Sequence, residues 1–286
     1  MNDISVRTMV RLSNAGGVEI PPMDLSKPLG DEEKQLIREA FLEHHILVFR
    51  NQKLSKPEQA AFTEQFGELE SHVARQHDGS GTPIVHTVSN LDAEGKPSYK
   101  PTTHGNYFWH TDKSYHAKPS LATLLHAIEL PKRGGATQFA NISLAYDALP
   151  DERKKAFADL KVVHSWEANR RNTKNRPATE EEKQDRPPVT HPMIRTHPET
   201  GRKVLYIGIH TSHIIGMPVA ESRALLDELA EFCAQDEFVY THEWQPGDLV
   251  MWDNRTLLHR ANANYGMNKE RRILHRTVIK GDDIPH

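Results

Sequence analysis

Gln245-Pro246-Gly247-Asp248-Leu249-Val250-Met251-Trp252-Asp253 is the stretch whose reading decides the fold class. Its first four residues have the composition of a type II turn: proline presets φ at the second position and glycine takes the positive φ required at the third. Residues 238–244 before this turn and 249–253 after it read as strands. Further strands are expected at 46–49, 85–88, 121–130, 137–140, 193–196, 204–209 and 272–279. Helices are fewer. Leu36, Ile37, Ala40 and Phe41 mark one apolar face over 31–45, and Leu225, Leu226, Leu229, Phe232 and Cys233 mark another over 221–235. Ser55-Lys56-Pro57-Glu58 has the form of a capping box that opens a helix carrying Phe62 and Phe66 inward, with Gly67 ending it. Two short helices are expected near 144–149 and 152–160. Residues 167–188 are charge-rich, poor in apolar residues and closed by Pro187-Pro188, so they are expected to form a lid or insertion loop. Many strands with a few helices, and no linker or internal repeat, predict one α+β domain over residues 1–286. Its core would be mainly β, a barrel or jelly roll with helices packed outside.

Composition narrows the function classes. The 286 residues include 36 Lys and Arg against 39 Asp and Glu, so there is no basic excess to recruit nucleic acid. The single cysteine, Cys233, excludes an internal disulfide and fits a reducing compartment. Residues 1–12 carry charge and lack the apolar stretch of a signal peptide. No apolar run approaches the ~18 residues of a membrane span. A cytoplasmic location follows as the expectation, with no membrane and no nucleic acid as partner.

The chemistry is carried by Trp109-His110-Thr111-Asp112 and, far downstream, by His259 in Leu257-Leu258-His259-Arg260. On an extended chain residues two apart point to the same side, so His110 and Asp112 can reach one ion and His259 can complete the face from a distant strand. Two imidazoles and one carboxylate on one face of a metal are the ligand set of mononuclear iron(II) oxygenases. A thiolate-rich zinc site is excluded by the cysteine count. His-x-Asp alone is a weak signal among 18 histidines.

Taken together with other ordered blocks, the sequence resembles the taurine/2,4-D dioxygenase (TauD/TfdA) family of 2-oxoglutarate-dependent oxygenases. The blocks are Ile46-Leu47-Val48-Phe49-Arg50-Asn51-Gln52, Phe66-Gly67, Trp109-His110-Thr111-Asp112, Gly134-Gly135-Ala136-Thr137, Pro246 to Asn254, and Arg271-Arg272-Ile273-Leu274-His275-Arg276. The resemblance spans roughly residues 15–282. It implies a double-stranded β-helix (jelly roll, cupin-like) with flanking helices, iron(II) held by His110, Asp112 and His259, 2-oxoglutarate as cosubstrate and O2 as oxidant. Arg272 and Thr137 would take the distal carboxylate of 2-oxoglutarate. Strand parity puts 272, 274 and 276 on one face, so Leu274 would line the pocket and Arg271 would face away. Family halogenases replace the aspartate with a small residue, and Asp112 argues against that chemistry.

For the substrate, the resemblance implies that Arg276 grips an anion, with Asn106, His72, His210 and His213 as further contacts. Arg75 stands where taurine-using members carry a tyrosine, and the 207–213 segment is closer to the phenoxyacetate branch. The expectation is hydroxylation of a C–H bond in a small acidic substrate of aryloxyalkanoate type, with ether cleavage when the carbon bears oxygen. The alternatives are a taurine-like sulfonate dioxygenase and a non-catalytic metabolite-binding β-helix. A zinc hydrolase has no use for Arg272 beside Thr137. Family members often form dimers or tetramers, so a homo-oligomer is expected.

Overall fold

The computed structural model describes residues 9–71, 84–99 and 104–286. In chain order its elements begin β1 Val10–Arg11, β2 Val18–Glu19, α1 Asp31–His44, β3 Ile46–Phe49, α2 Lys56–Glu64, β4 His86–Ser89, β5 Ala122–Glu129 and β6 Thr137–Asn141. They continue α3 Ile142–Ala148, α4 Asp151–Phe157, β7 Lys161–His164, α5 Trp166–Asn172, α6 Glu180–Asp185, β8 Val189–Pro192, β9 Ile194–Thr196, β10 Lys203–Leu205 and β11 Thr211–Ile214. The last are α7 Val219–Cys233, β12 Val239–His242, β13 Leu249–Asp253, β14 Leu257–Ala261 and β15 Ile273–Ile279. No helix among the described residues is long and apolar enough to cross a membrane.

A seven-stranded sheet runs β1-β2-β3-β13-β5-β15-β4, and a three-stranded sheet runs β12-β6-β14. The strands flanking the 245–248 turn do not pair with each other. β12 joins the smaller sheet and β13 the larger, so this turn carries the chain from one to the other. Gly247 sits there at φ +78°, and a Cβ on it would meet the Gln52 carbonyl oxygen at 2.7 Å. Only glycine meets both demands.

The larger sheet is buried on both faces, which explains the unbroken apolar runs in its central strands. Ile46, Val48, Leu125, Val250 and Trp252 pack toward Phe139, Tyr240 and Leu257 of the smaller sheet. Their neighbours Leu47, Phe49, Leu124, Leu249 and Met251 pack toward Ile37, Ala40 and Phe41 of α1 and Phe62 of α2. Ser55 caps α2 through the reciprocal bonds of a capping box with Glu58, and Phe62 meets Phe49 edge-on at 5.6 Å.

Residues 167–188 depart from the expected loop, for they carry α5 and α6. Ser165 caps α5 by accepting from Ala168 N, and Thr179 with Glu182 forms a capping box on α6. The charges that read as loop are the exposed faces of these short helices. Arg176 forks onto Glu182 at 2.8 and 2.9 Å, and Lys183 bridges Glu167 and Glu180. The strands β7, β8 and β11 were also not anticipated, being four residues each with mixed polarity.

The connection from β13 to β14 is fixed by buried charge. Asp253 accepts from Arg255 through N, Nε and Nη2, each at 2.8 Å, and pairs with His197 Nε2 at 3.0 Å. Arg255 Nη1 also reaches Glu199 at 2.6 Å. Burial alone would raise the Asp253 carboxyl, but Arg255 and His197 pull it well below the usual carboxylate range. Asp253→Asn should therefore cost about 3–5 kcal/mol, because Arg255 stays buried with half its compensation gone. A folded pKa below the unfolded one means this stability is complete above about pH 4 and is lost as pH falls further. Denaturant titrations of both proteins from pH 7 to 3 should show the gap shrinking at the acid end; a constant gap would exclude the ion pair as its source.

Candidate metal centre and anion pocket

His110 and His259 face each other as an isolated antiparallel bridge. His110 N donates to His259 O at 3.1 Å and His259 N donates to His110 O at 2.7 Å. Directly opposed residues of an antiparallel pair put their side chains on one face, and here the imidazole centroids lie 4.1 Å apart. The expected strand end over 110–112 is a correction. Only His110 is paired, and Asp112 is delivered by the turn that follows, with Lys113 at φ +53°. One ligand atom from each of His110, Asp112 and His259 lies within 4.8 Å of the others, all three residues buried.

Each ligand is oriented by its neighbours. His110 Nδ1 is 2.6 Å from the Phe108 carbonyl, which fixes the Nδ1–H tautomer and leaves the Nε2 lone pair for a cation. Among the described residues His259 Nδ1 has no hydrogen-bond partner. Its plane is held by rings instead, with Trp252 at 4.7 Å and Phe139 at 6.4 Å. Asp112 Oδ2 accepts from Thr123 Oγ1 at 2.5 Å and from Arg276 Nη2 at 2.8 Å, so Oδ1 is the oxygen left for a metal. Behind Thr123 a one-way donor chain continues: Asn254 Nδ2 to Thr123 Oγ1 at 3.0 Å, and Trp252 Nε1 to Asn254 Oδ1 at 3.1 Å. Burial lowers the pKa of both imidazoles, and that of His259 well below its ordinary value. Burial would raise the Asp112 carboxyl, but the Arg276 guanidinium, with the Thr123 hydroxyl, holds it well below the usual range. Neutral imidazoles and an ionised carboxylate are the protonation states a divalent cation requires, so the donor set fits one.

The cavity beside the trio is lined by Asn106, Thr137, Arg272 and Arg276 with Val88 and Leu125. Arg272 is 4% exposed. It donates from Nε to the Gly135 carbonyl at 2.7 Å and from Nη2 to Thr137 Oγ1 at 3.2 Å. Gly135, at φ +73°, lets this happen, since a Cβ there would press on Arg272 Cδ at 3.2 Å. Among the described residues no carboxylate lies within ion-pair distance of Arg272, whereas Arg271 sits outside on Glu129 at 2.9 Å. A buried guanidinium without a counter-ion is costly, by several kcal/mol, until an anion arrives.

The remaining expectations divide. Arg276 reaches the cavity, where its guanidinium already pairs with Asp112. Leu274 does not line the cavity. It has the parity of Arg272 and Arg276 but is fully buried in the core between the sheets, beside Val88 and Leu125. His210 packs edge-on to His110 at 6.3 Å and meets Ser114 Oγ at 3.0 Å, outside the cavity lining. His213 bonds Ser212 on β11 and is likewise outside that lining. His72 and Arg75 lie outside the described residues. Thr123 was not anticipated. Its signal is a lone hydroxyl in the apolar run Ala122-Thr123-Leu124-Leu125.

The family pattern described as taurine catabolism dioxygenase TauD, TfdA family matches residues 11–278. The alpha-ketoglutarate-dependent 2,4-dichlorophenoxyacetate dioxygenase of Cupriavidus pinatubonensis is 37% identical over 273 residues, 93% of this chain and 94% of that one. The (S)-phenoxypropionate/alpha-ketoglutarate-dioxygenase of Sphingobium herbicidovorans is 35% identical over 252 residues, 86% of this chain and 85% of its own. The crystal structure of AAD-2 in complex with Mn(II) and N-oxalylglycine superposes with a TM-score of 0.87 at 36% identity, covering 98% of both chains.

His110→Ala and His259→Ala should each weaken Mn(II) binding by more than the roughly 100-fold that loss of a merely supporting group can cause. Thr123→Val should stay within roughly 10- to 100-fold, the range for such a group. Calorimetric titration of the three variants reads both effects, and a Thr123→Val protein with unchanged affinity would remove the hydroxyl from the site.

Proposed function

Because the chain belongs to the TauD, TfdA family of 2-oxoglutarate-dependent dioxygenases, we propose that it hydroxylates a C–H bond of an aryloxyalkanoate-like carboxylate. The cosubstrate is 2-oxoglutarate and the metal iron(II). The observation that carries the reading is Arg272, buried beside Thr137 with no carboxylate of the described chain to neutralise it. A dicarboxylate that enters the cavity and places one end there supplies the missing charge, and arginine offers it two parallel donors. The facing seven- and three-stranded sheets suit a double-stranded β-helix, the fold proposed for this core.

His110, Asp112 and His259 would hold the iron, which when bound supplies the activation of O2 coupled to decarboxylation of 2-oxoglutarate. The chain's own contribution is placement and exclusion. Thr123 and Arg276 occupy Asp112 Oδ2 and so restrict the carboxylate to one ligating oxygen. Thr137 and Arg272 fix one end of the cosubstrate, with its other end directed at the trio across the same cavity. Arg276 and Asn106 line that cavity too, and they are the proposed contacts for the acidic group of the substrate. The bridge and rings around His259 keep its plane fixed and bulk water away. Where the hydroxylated carbon bears an ether oxygen, the product is a hemiacetal that breaks down to a phenol and a carbonyl acid.

The test is succinate formation by anaerobically purified protein given iron(II), 2-oxoglutarate, ascorbate and oxygen with a panel of aryloxyalkanoates, taurine and other sulfonates. Aryloxyalkanoates should drive succinate release above the substrate-free rate and above any sulfonate. Arg276→Ala should raise KM for the acid by roughly 10-fold or more, the scale of a lost charge-assisted pair, while KM for 2-oxoglutarate moves much less. Arg272→Ala should show the reverse split. Equal effects of Arg276→Ala on both would refute the division of the two arginines.

A further inference from the structure

Thr137 Oγ1 receives two hydrogen bonds, from Arg272 Nη2 at 3.2 Å and from the indole Nε1 of Trp244 at 3.0 Å. Guanidinium and indole N–H groups donate and never accept, and a threonine hydroxyl has two acceptor lone pairs and one hydrogen. Both lone pairs are therefore taken. The hydroxyl hydrogen has to be donated, and no acceptor for it is present among the described residues, although Thr137 is 3% exposed. Thr137 lines the cavity that also holds Arg272, so that is where an acceptor has room to bind.

We propose that Trp244 is a positioning residue for the cosubstrate: its N–H forces the Thr137 hydroxyl to present its hydrogen to the distal carboxylate. This rests on the 2-oxoglutarate reading above and adds a residue to it. The indole is itself held in place. It packs edge-on against His242 at 4.7 Å and 86°. His242 Nε2 pairs with buried Asp248 at 3.0 Å, and Asp248 also accepts from Gln245 N at 2.8 Å and pairs with Arg50 at 2.7 Å. The 245–248 turn thus closes on its own carboxylate directly after Trp244 and leaves the ring little freedom to swing. Without the indole N–H, one lone pair of Thr137 is released. The hydroxyl then rotates among several donors and acceptors, and the preorganised donor is lost.

The test is calorimetric binding of 2-oxoglutarate to the Mn(II)-loaded protein, for the unsubstituted chain, Trp244→Phe, Thr137→Val and the double variant. Trp244→Phe should weaken 2-oxoglutarate about tenfold, the scale of one well-placed hydrogen bond, with Mn(II) affinity and kcat at saturating cosubstrate nearly unchanged. If Trp244 acts through Thr137, adding Trp244→Phe to Thr137→Val should cost nothing further. Trp244→Tyr, which keeps an aromatic ring and has no indole N–H, serves the same cycle should the phenylalanine variant not fold. Unchanged 2-oxoglutarate affinity in the folded Trp244 variant, or losses that simply add, would overturn the proposal. Absence of binding by the unsubstituted protein would instead sink the cosubstrate reading on which it rests.

Discussion

Two backbone hydrogen bonds, exchanged between His110 and His259, hold this site together. They join a loop to β14 at one residue pair, and that pair carries both imidazoles. Side chains at such a position share a face of the ribbon, so the bridge brings the rings together without any need for the side chains to attract each other. Shifting the register by a single residue would turn one imidazole to the opposite face. The depth of the surrounding structure serves this register. β14 is fixed along β6 from Leu257 to Ala261, and its entry is locked by Asp253 and Arg255.

Electrostatics then divides the cavity. It holds two guanidiniums with different circumstances. Arg276 is neutralised by Asp112 and stands 17% exposed, while Arg272 is buried and, among the described residues, its guanidinium donates to a carbonyl and a hydroxyl and pairs with no carboxylate. A cavity with one satisfied and one unsatisfied cation selects for a ligand that brings charge to a particular end. That asymmetry is what the proposed dicarboxylate site has and a generic basic pocket lacks. It also separates this centre from a hydrolytic one, where a metal-bound water needs no remote cation.

Much of this was legible in the sequence, for identifiable reasons. His110, Asp112 and His259, which the structure brings together, were readable only because the weak His-x-Asp pair sits among ordered blocks that resemble the family, and Arg272 because the same resemblance picks it and strand parity sets it apart from Arg271. The strands β3 and β13 were readable since burial on both faces leaves an unbroken apolar run. Leu274 shares the parity of Arg272 and Arg276, but parity fixes only the face, and its shorter side chain is fully buried against Val88 and Leu125 instead of lining the cavity. Residues 167–188 were misread because charge density marks solvent exposure, and short capped helices are as exposed as loops. β14 was expected only as an unbounded strand carrying His259, since five residues ending in Arg260-Ala261 show no clean alternation.

The supporting residues were the least legible, and the reason is geometric. Thr123 and Trp244 touch the site through hydrogen bonds that span sheets, to Asp112 and Thr137 respectively. No local spacing rule encodes such a contact. What the sequence does show is the means of holding them. Thr123 is the one hydroxyl in an apolar strand that faces Asp112, and Trp244 immediately precedes a turn that only glycine at 247 permits. The two devices share a logic. Each supplies a donor to an oxygen of the residue next to the ligand, so that residue has one orientation left for its own function. Asp112 is left with one oxygen for the proposed metal and Thr137 with one hydrogen for the proposed anion.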